Sequence, residues 1–143
     1  MKKNIKIALI ILGMICIPSI AMAQVDFNKT PDNSDYREEF QEHFFEALKQ
    51  KGIENYDRAV TELQRCLELD DSEPTVYFEL GKNYAMLKNF GAAEEALKEA
   101  IKLDSENEWF LDALYGIYVQ LNDYDNSLKT VKKLIKHHID YKH

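Results

Sequence analysis

The sequence predicts an all-α fold built from about three stacked helix hairpins. Apolar residues recur at helical intervals along the chain, no segment alternates as a half-buried strand does, and side-chain chemistry repeats every 34 residues. The repeating pairs are Leu80 and Leu114, Tyr84 and Tyr118, Leu87 and Leu121, and Phe90 with both Tyr56 and Tyr124. This period is typical of a two-helix unit that buries its apolar face only when copies stack.

The first hairpin is predicted to begin near Asp35, and the apolar stripe of its second helix ends at Asp70 and Asp71. Asp35 and Glu38 have the spacing of a capping pair, Gly52 ends the first helix, and Asn55 can cap the second. The apolar faces of the two helices are formed by Phe40, Phe44, Ala47 and Leu48, and by Ala59, Val60, Leu63, Cys66 and Leu67.

Four more helices follow the same plan. Pro74 stands where the start of a helix tolerates proline, a turn at Lys88 and Asn89 leads into the fourth helix, and Ser105 and Glu108 are spaced as a capping box for the fifth. The sixth helix carries the apolar residues Tyr124, Leu128, Val131, Leu134 and Ile135.

The central segment resembles the tetratricopeptide repeat. The residues that carry the resemblance are Tyr77, Leu80, Gly81 and Tyr84, followed by Phe90, Ala93, Leu97 and Ala100. The resemblance implies a short right-handed superhelical α-solenoid over residues 35–143, with repeats at about 40–73, 74–107 and 108–141. In this pattern Gly81 and Ala93 allow the two helices of one repeat to approach closely.

The outer copies depart from the pattern. Glu46 and Gln50 occupy positions expected to be apolar, so we expect the first helix to be rotated by about one residue toward Phe44, Phe45 and Leu48. In the third copy Tyr115 replaces a small residue and Ser127 an alanine, which predicts looser packing.

Residues 1–23 have the features of a secretory signal peptide. Lys2, Lys3 and Lys6 precede an apolar run from residue 7 to 17, and Ala21-Met22-Ala23 supplies a cleavage site. Retention of the segment as a membrane anchor is the alternative. Residues 24–34 are polar and predict a flexible lead-in. The amino-acid sequence around residues 44–59 and 107–110 is similar to that of exported repeat proteins of the Bacteroidetes type. This resemblance implies that the protein is located in a Gram-negative periplasm.

Charge and cysteine content exclude several functions. The net charge is −7, and removal of residues 1–23, which hold three lysines and no acid, leaves a net charge of −10. An acidic balance disfavours nucleic acid as a partner. Because signal cleavage removes the apolar run, no stable membrane span is expected in the mature chain. Cys66 is then a lone cysteine, interpreted as buried and inert. His137, His138 and His143 are interpreted as surface residues, so no cofactor, metal site or enzymatic activity is predicted.

The tetratricopeptide resemblance places binding residues in a concave groove lined by the first helix of each repeat. The candidates are Phe44, Leu48, Phe78, Lys82, Met86, Trp109 and Asp112. Lys51, Gly116 and Val119 fall in the same register. Tetratricopeptide domains that grip chaperone C-terminal carboxylates use Lys, Asn and Arg at several of these positions. Only Lys82 matches in charge, so the resemblance implies an apolar groove without that clamp.

Two functional classes follow. The first is an exported adaptor that binds a peptide or partner helix in the groove. The alternative is a glycan or small-ligand binding protein, because aromatic residues such as Trp109 also stack on sugars, or a short relative of a longer repeat scaffold. Lysines on the last helix and acids on the first also allow a weak head-to-tail homo-oligomer.

We predict that Trp109→Ala leaves the helical circular dichroism and the melting temperature almost unchanged, because Trp109 lies outside the core series Leu111, Leu114 and Tyr118. Binding of the partner should weaken. A large fall in melting temperature would instead identify Trp109 as a core residue.

Overall fold

The computed structural model describes residues 33–140, which form six α-helices joined by short turns. The helices are α1 (Asn33–Gly52), α2 (Tyr56–Leu69), α3 (Pro74–Met86), α4 (Phe90–Leu103), α5 (Glu108–Gln120) and α6 (Tyr124–Asp140). Each helix packs against the next one along the chain, which gives three antiparallel hairpins in order. The all-α helical-repeat fold is confirmed, and the described residues contain no strand.

The beginning of the chain lies outside this range. The predicted signal segment at residues 1–23 and the predicted lead-in up to residue 32 are outside the described residues, and α1 begins two residues before Asp35. Within residues 33–140, no helix combines the length and apolarity that crossing a bilayer requires.

The turn inside each hairpin repeats with the same 34-residue period. Glu54, Lys88 and Asn122 have φ values of 61°, 61° and 56°. In the first copy, the Asn55 N–H donates to the Gln50 carbonyl at 2.9 Å and the Glu54 N–H donates to the Lys51 carbonyl at 3.0 Å. This is the hydrogen-bond pattern of a Schellman motif. Gly52 ends α1 as expected, but Glu54 is the left-handed residue of the turn.

The hydrophobic core forms between hairpins as well as within them. One cluster joins Ala47 of α1 and Leu63 of α2 to Val76 and Leu80 of α3. A second cluster joins Ala93 and Leu97 of α4 to Leu114, Ile117 and Tyr118 of α5. Tyr84 packs against both clusters, so the middle hairpin connects the other two.

Close packing inside the middle hairpin depends on Gly81. A Cβ atom added to Gly81 would lie 2.6 Å from the Leu97 Cγ and 3.3 Å from the Ala93 carbonyl oxygen. Real Cβ atoms do not approach other atoms so closely. The expected close approach at Gly81 and Ala93 is therefore present, and it draws α3 onto α4.

The expected rotation of α1 is wrong for Phe45. Phe45 is 65% exposed, whereas Gln50 is 8% exposed and stays in the interface. The Gln50 Nε2 donates to Glu46 at 2.6 Å, and its Oε1 accepts from Asn55 at 2.8 Å. Because both the nitrogen and the oxygen of its amide are hydrogen-bonded, Gln50 can stay buried without a rotation of α1 about its axis.

The capping box predicted at Ser105 and Glu108 is also wrong. Asn107 caps α5, and its side chain accepts a hydrogen bond from the Trp109 N–H at 3.2 Å. Asp104 accepts hydrogen bonds from the Glu106 N–H and the Asn107 amide, both at 3.3 Å, which extends the turn to Asn107.

We predict that Gly81→Ala lowers the free energy of unfolding by about 1–3 kcal/mol, because the new methyl group overpacks the contact with Leu97. Urea unfolding monitored by circular dichroism measures the loss. Gly91→Ala is the matched control, since its Cβ would meet open space and only helix propensity changes. Equal stability of the two variants would contradict the role assigned to Gly81.

Candidate functional site

A groove with a volume of about 660 Å³ lies between α3 and α5. This volume is within the range of small-ligand and peptide pockets. The groove, called the central groove below, is lined by Lys51, Tyr56, Gly81, Lys82, Ala85, Met86, Lys88, Phe90, Leu97, Ala113, Gly116, Ile117 and Gln120. Most of this lining is apolar.

The charges that line the central groove are all positive. Its lining includes Lys51, Lys82 and Lys88 and no acidic residue. Beside it, the nearly buried Glu79 carboxylate pairs with the Lys51 Nζ at 2.6 Å and with the Lys82 Nζ at 3.3 Å. Glu79 thus pairs with two of the three lysines, and the groove lining carries positive charge in a chain of net charge −7.

Aromatic contacts hold this part of α3 in place. The Lys82 Nζ lies 4.8 Å above the centre of the Phe78 ring, a cation–π geometry. The Phe78 ring packs against Phe110 of α5, with ring centres 5.0 Å apart. These contacts fix Lys82 between Glu79 and Phe78, so the groove is largely formed before any partner arrives.

Gly116 leaves space inside the central groove. A Cβ atom added to Gly116 meets no atom within 4 Å, although the residue lines the groove. A side chain at this position would therefore project into empty groove volume without disturbing the core. Gly116 is the natural position at which to test what the groove does.

The structure separates the seven predicted binding residues into two groups. Lys82 and Met86 line the central groove. The remaining five lie outside its lining: Phe44, Leu48, Phe78, Trp109 and Asp112. Phe44 and Phe78 pack against the hydrophobic clusters, whereas Trp109 is 68% exposed on the first turn of α5. Contact of these residues with a partner stays a prediction.

Several lining residues were not foreseen. Phe90 and Leu97 belong to α4, and Lys88 belongs to the turn that precedes it, whereas the sequence register considered only the first helix of each repeat. Gly81 and Gly116 were the sequence signal for these residues. Both glycines lie on facing helices and lack side chains, so the groove extends between them as far as α4.

The described residues offer little for catalysis. Cys66 is fully buried, and its Sγ lies 3.7 Å from the Phe40 carbonyl oxygen. Burial, with the Glu62 carboxylate as a second cause, raises the pKa of the Cys66 thiol to about 11. Within residues 33–140 no three His, Cys, Asp or Glu side chains are grouped as metal ligands would be. The described His138 Nε2 lies 3.3 Å from Glu108.

Comparison with known proteins identifies one repeat and the fold. Residues 74–107 match the tetratricopeptide repeat family model. A search of curated proteins found no match.

Many solved structures have a similar fold. MamA from Desulfovibrio magneticus RS-1 matches with a TM-score of 0.68 at 19% identity, over 71% of this chain and 57% of that one. The first tetratricopeptide domain of Spaghetti (RPAP3), bound to the HSP90 peptide SRMEEVD, matches with a TM-score of 0.66 at 16% identity, over 70% and 79%. The TPR2B domain of yeast Sti1, in complex with pHsp70, matches with a TM-score of 0.68 at 14% identity, over 72% of this chain and 82% of that one. The chain thus spans little more than half of the MamA chain.

We predict that the Cys66 thiol does not react with iodoacetamide at pH 8 in the folded protein and reacts completely after unfolding in urea. A pKa near 11 leaves the thiol protonated at pH 8, and the reagent cannot reach it. Mass spectrometry of the alkylated protein measures both states. Rapid labelling of the folded protein would show that the thiol is accessible.

Proposed function

We propose that this protein is an interaction module that binds an apolar peptide or helix of a partner protein in the central groove. The observation that carries the proposal is the preformed, mostly apolar groove between α3 and α5. Residues such as Met86, Phe90 and Ile117 supply apolar contact, and fixed side chains such as Lys82 lower the ordering cost of binding.

The partner segment should carry carboxylates beside its apolar residues. Lys51, Lys82 and Lys88 line the groove, and Glu79 beside it pairs with the first two, so an acidic group next to the apolar anchor gains charge-assisted contacts. The HSP90 peptide SRMEEVD in the Spaghetti complex, which holds two Glu and one Asp, is an acidic ligand on the same fold. Peptide binding in that protein supports a peptide as the ligand here, although only Lys82 of this chain matches the cations of a carboxylate clamp.

Export of the protein to the periplasm is part of the proposal. It is supported by the three lysines, the apolar run and the Ala21-Met22-Ala23 site at the start of the sequence. Expression of the full chain in a Gram-negative host, followed by fractionation and N-terminal sequencing, tests it. Recovery of uncleaved protein in the cytoplasm would contradict this part alone.

We predict that Gly116→Leu abolishes binding by filling the central groove. Peptides of about 16 residues, selected from a random phage library on the wild-type protein, should be rich in apolar and acidic residues. Their affinity for Gly116→Leu should fall at least about tenfold, while helix propensity holds or raises the melting temperature. Fluorescence anisotropy with labelled peptides measures the affinity.

Gly91→Leu is the control for this experiment. Gly91 lies in α4, its added Cβ meets no atom within 4 Å, and it is not part of the groove lining. This variant should bind as the wild type does. Equal binding by Gly116→Leu would place the peptides elsewhere, and stabilisation by glycans rather than peptides in a thermal-shift screen would replace the proposal with the sugar-binding alternative.

A further inference from the structure

Four large apolar side chains of α6 are exposed to solvent, whereas Val131 and Leu134 are half-buried. The buried residues of α6 are Ser127 and Thr130, whose hydroxyls donate to the Tyr124 and Asn126 carbonyls at 3.0 and 2.9 Å. The side chains of Leu128, Ile135 and Ile139 are 55%, 53% and 56% exposed, and that of Tyr124 is 75% exposed. At about 100° per residue, these four and Val131 form one stripe, called the α6 stripe below.

The 34-residue period shows what normally covers such a stripe. The counterparts of Ile135 are Leu67 in α2 and Ile101 in α4. Leu67 packs against the cluster that contains Val76 and Leu80 of α3, and Ile101 packs against the cluster that contains Leu114 of α5. In both hairpins the covering element is the first helix of the next hairpin. Ile135 occupies the same repeat position as Leu67 and Ile101, but no described element covers it.

The charge beside the α6 stripe is positive. Lys132 and Lys136 are exposed on α6 next to the stripe, whereas Lys129 and Lys133 are exposed farther around the helix and line a pocket with Lys98 and Ile101 of α4. Five other lysines, Lys49, Lys51, Lys82, Lys98 and Lys102, form ion pairs with carboxylates. None of the four on α6 forms an ion pair with a carboxylate among the described residues. This face therefore complements an acidic surface.

A second copy of the chain fits the α6 stripe poorly. Two α6 helices packed antiparallel about a two-fold axis would bring the same lysine face of each together. The acidic face of α1 is also a poor match, because it carries carboxylates where a covering helix needs apolar residues. Glu42 and Glu46 occupy the repeat positions that Val76 and Leu80 hold in α3. A head-to-tail contact would thus press carboxylates against Leu128 and Ile135, and burying such charges costs several kcal/mol each.

We propose that the α6 stripe is a second docking surface, which binds an amphipathic helix of a partner protein with an apolar face flanked by Asp or Glu. The bound helix continues the stack in the place that α3 takes on α2 and α5 takes on α4. Its apolar residues cover Leu128 and Ile135, and its carboxylates lie beside the α6 lysines. This surface is separate from the central groove, since none of its residues lines that groove.

A pair of synthetic helical peptides tests the proposal. Each has about 18 residues with Leu at i, i+4, i+7 and i+11, and the other positions are Glu-rich in one peptide and Lys-rich in the other. The full chain should bind the Glu peptide at least about tenfold more tightly than the Lys peptide at about 50 mM salt. The difference should narrow at about 500 mM salt because exposed charges are then screened.

Three variants identify the surface. Leu128→Ser combined with Ile135→Ser should lose binding of the Glu peptide while keeping the helical circular dichroism, because both side chains are more than half exposed. Reversal of the four α6 lysines to Glu should invert the preference toward the Lys peptide. Because the central groove also suits acidic apolar peptides, both sets of substitutions are made in the Gly116→Leu background, which should itself still bind the Glu peptide through the α6 stripe.

The opposite results overturn the proposal. Equal affinity for both peptides at low salt, or no binding at about 0.5 mM peptide, removes the acidic helix as occupant. Loss of binding in Gly116→Leu alone assigns the peptide to the central groove. A wild-type dimer in light scattering that the Leu128→Ser and Ile135→Ser substitutions abolish makes a second copy the occupant.

Discussion

The stacking of the three hairpins depends on apolar side chains that each hairpin shares with the next. Val76 and Leu80 of α3 complete the core begun by α1 and α2, and Leu114 of α5 completes the core begun by α4. A hairpin on its own leaves such residues in water, and the unpaired area would remove most of its stability. Every other feature of the molecule, including the groove and the exposed end, follows from this sharing.

The central groove results from the distances between the helices that share the core. Gly81 brings α3 onto α4, and Gly116 leaves the facing surface of α5 empty, so space remains between the first helices of two successive hairpins. Lysines from α1, α3 and the turn before α4 converge on that space, although the chain as a whole is acidic. The stack therefore concentrates positive charge at a concave apolar site, which is a suitable surface for an acidic, partly apolar ligand.

The two ends of the stack differ in chemistry. At the first end, Glu42 and Glu46 replace the apolar residues that the inner hairpins use for stacking, and this polar surface suits contact with water. At the other end, the α6 stripe exposes Ile135, whose counterparts Leu67 and Ile101 pack against the two core clusters of the inner hairpins. Among the described helices, the outer face of α1 is therefore polar and that of α6 apolar, so the α6 face is the more favourable place for an added helix.

The sequence alone determined the helix order, the 34-residue repeat and the close approach at Gly81, because these depend on local spacing and on side-chain size. It also indicated Lys82 and Met86 as groove residues, since both lie at the concave register of the best repeat. The tertiary structure decided the rest. Gln50 stays buried because Glu46 and Asn55 satisfy its amide, Asn107 caps α5 because Asp104 extends the turn, and Phe90 and Leu97 reach the groove from α4. The first two outcomes depend on side-chain hydrogen bonds between residues three to five positions apart, and the third depends on the packing of α4 against α3 and α5. A hydrophobic period along the chain carries no information about either.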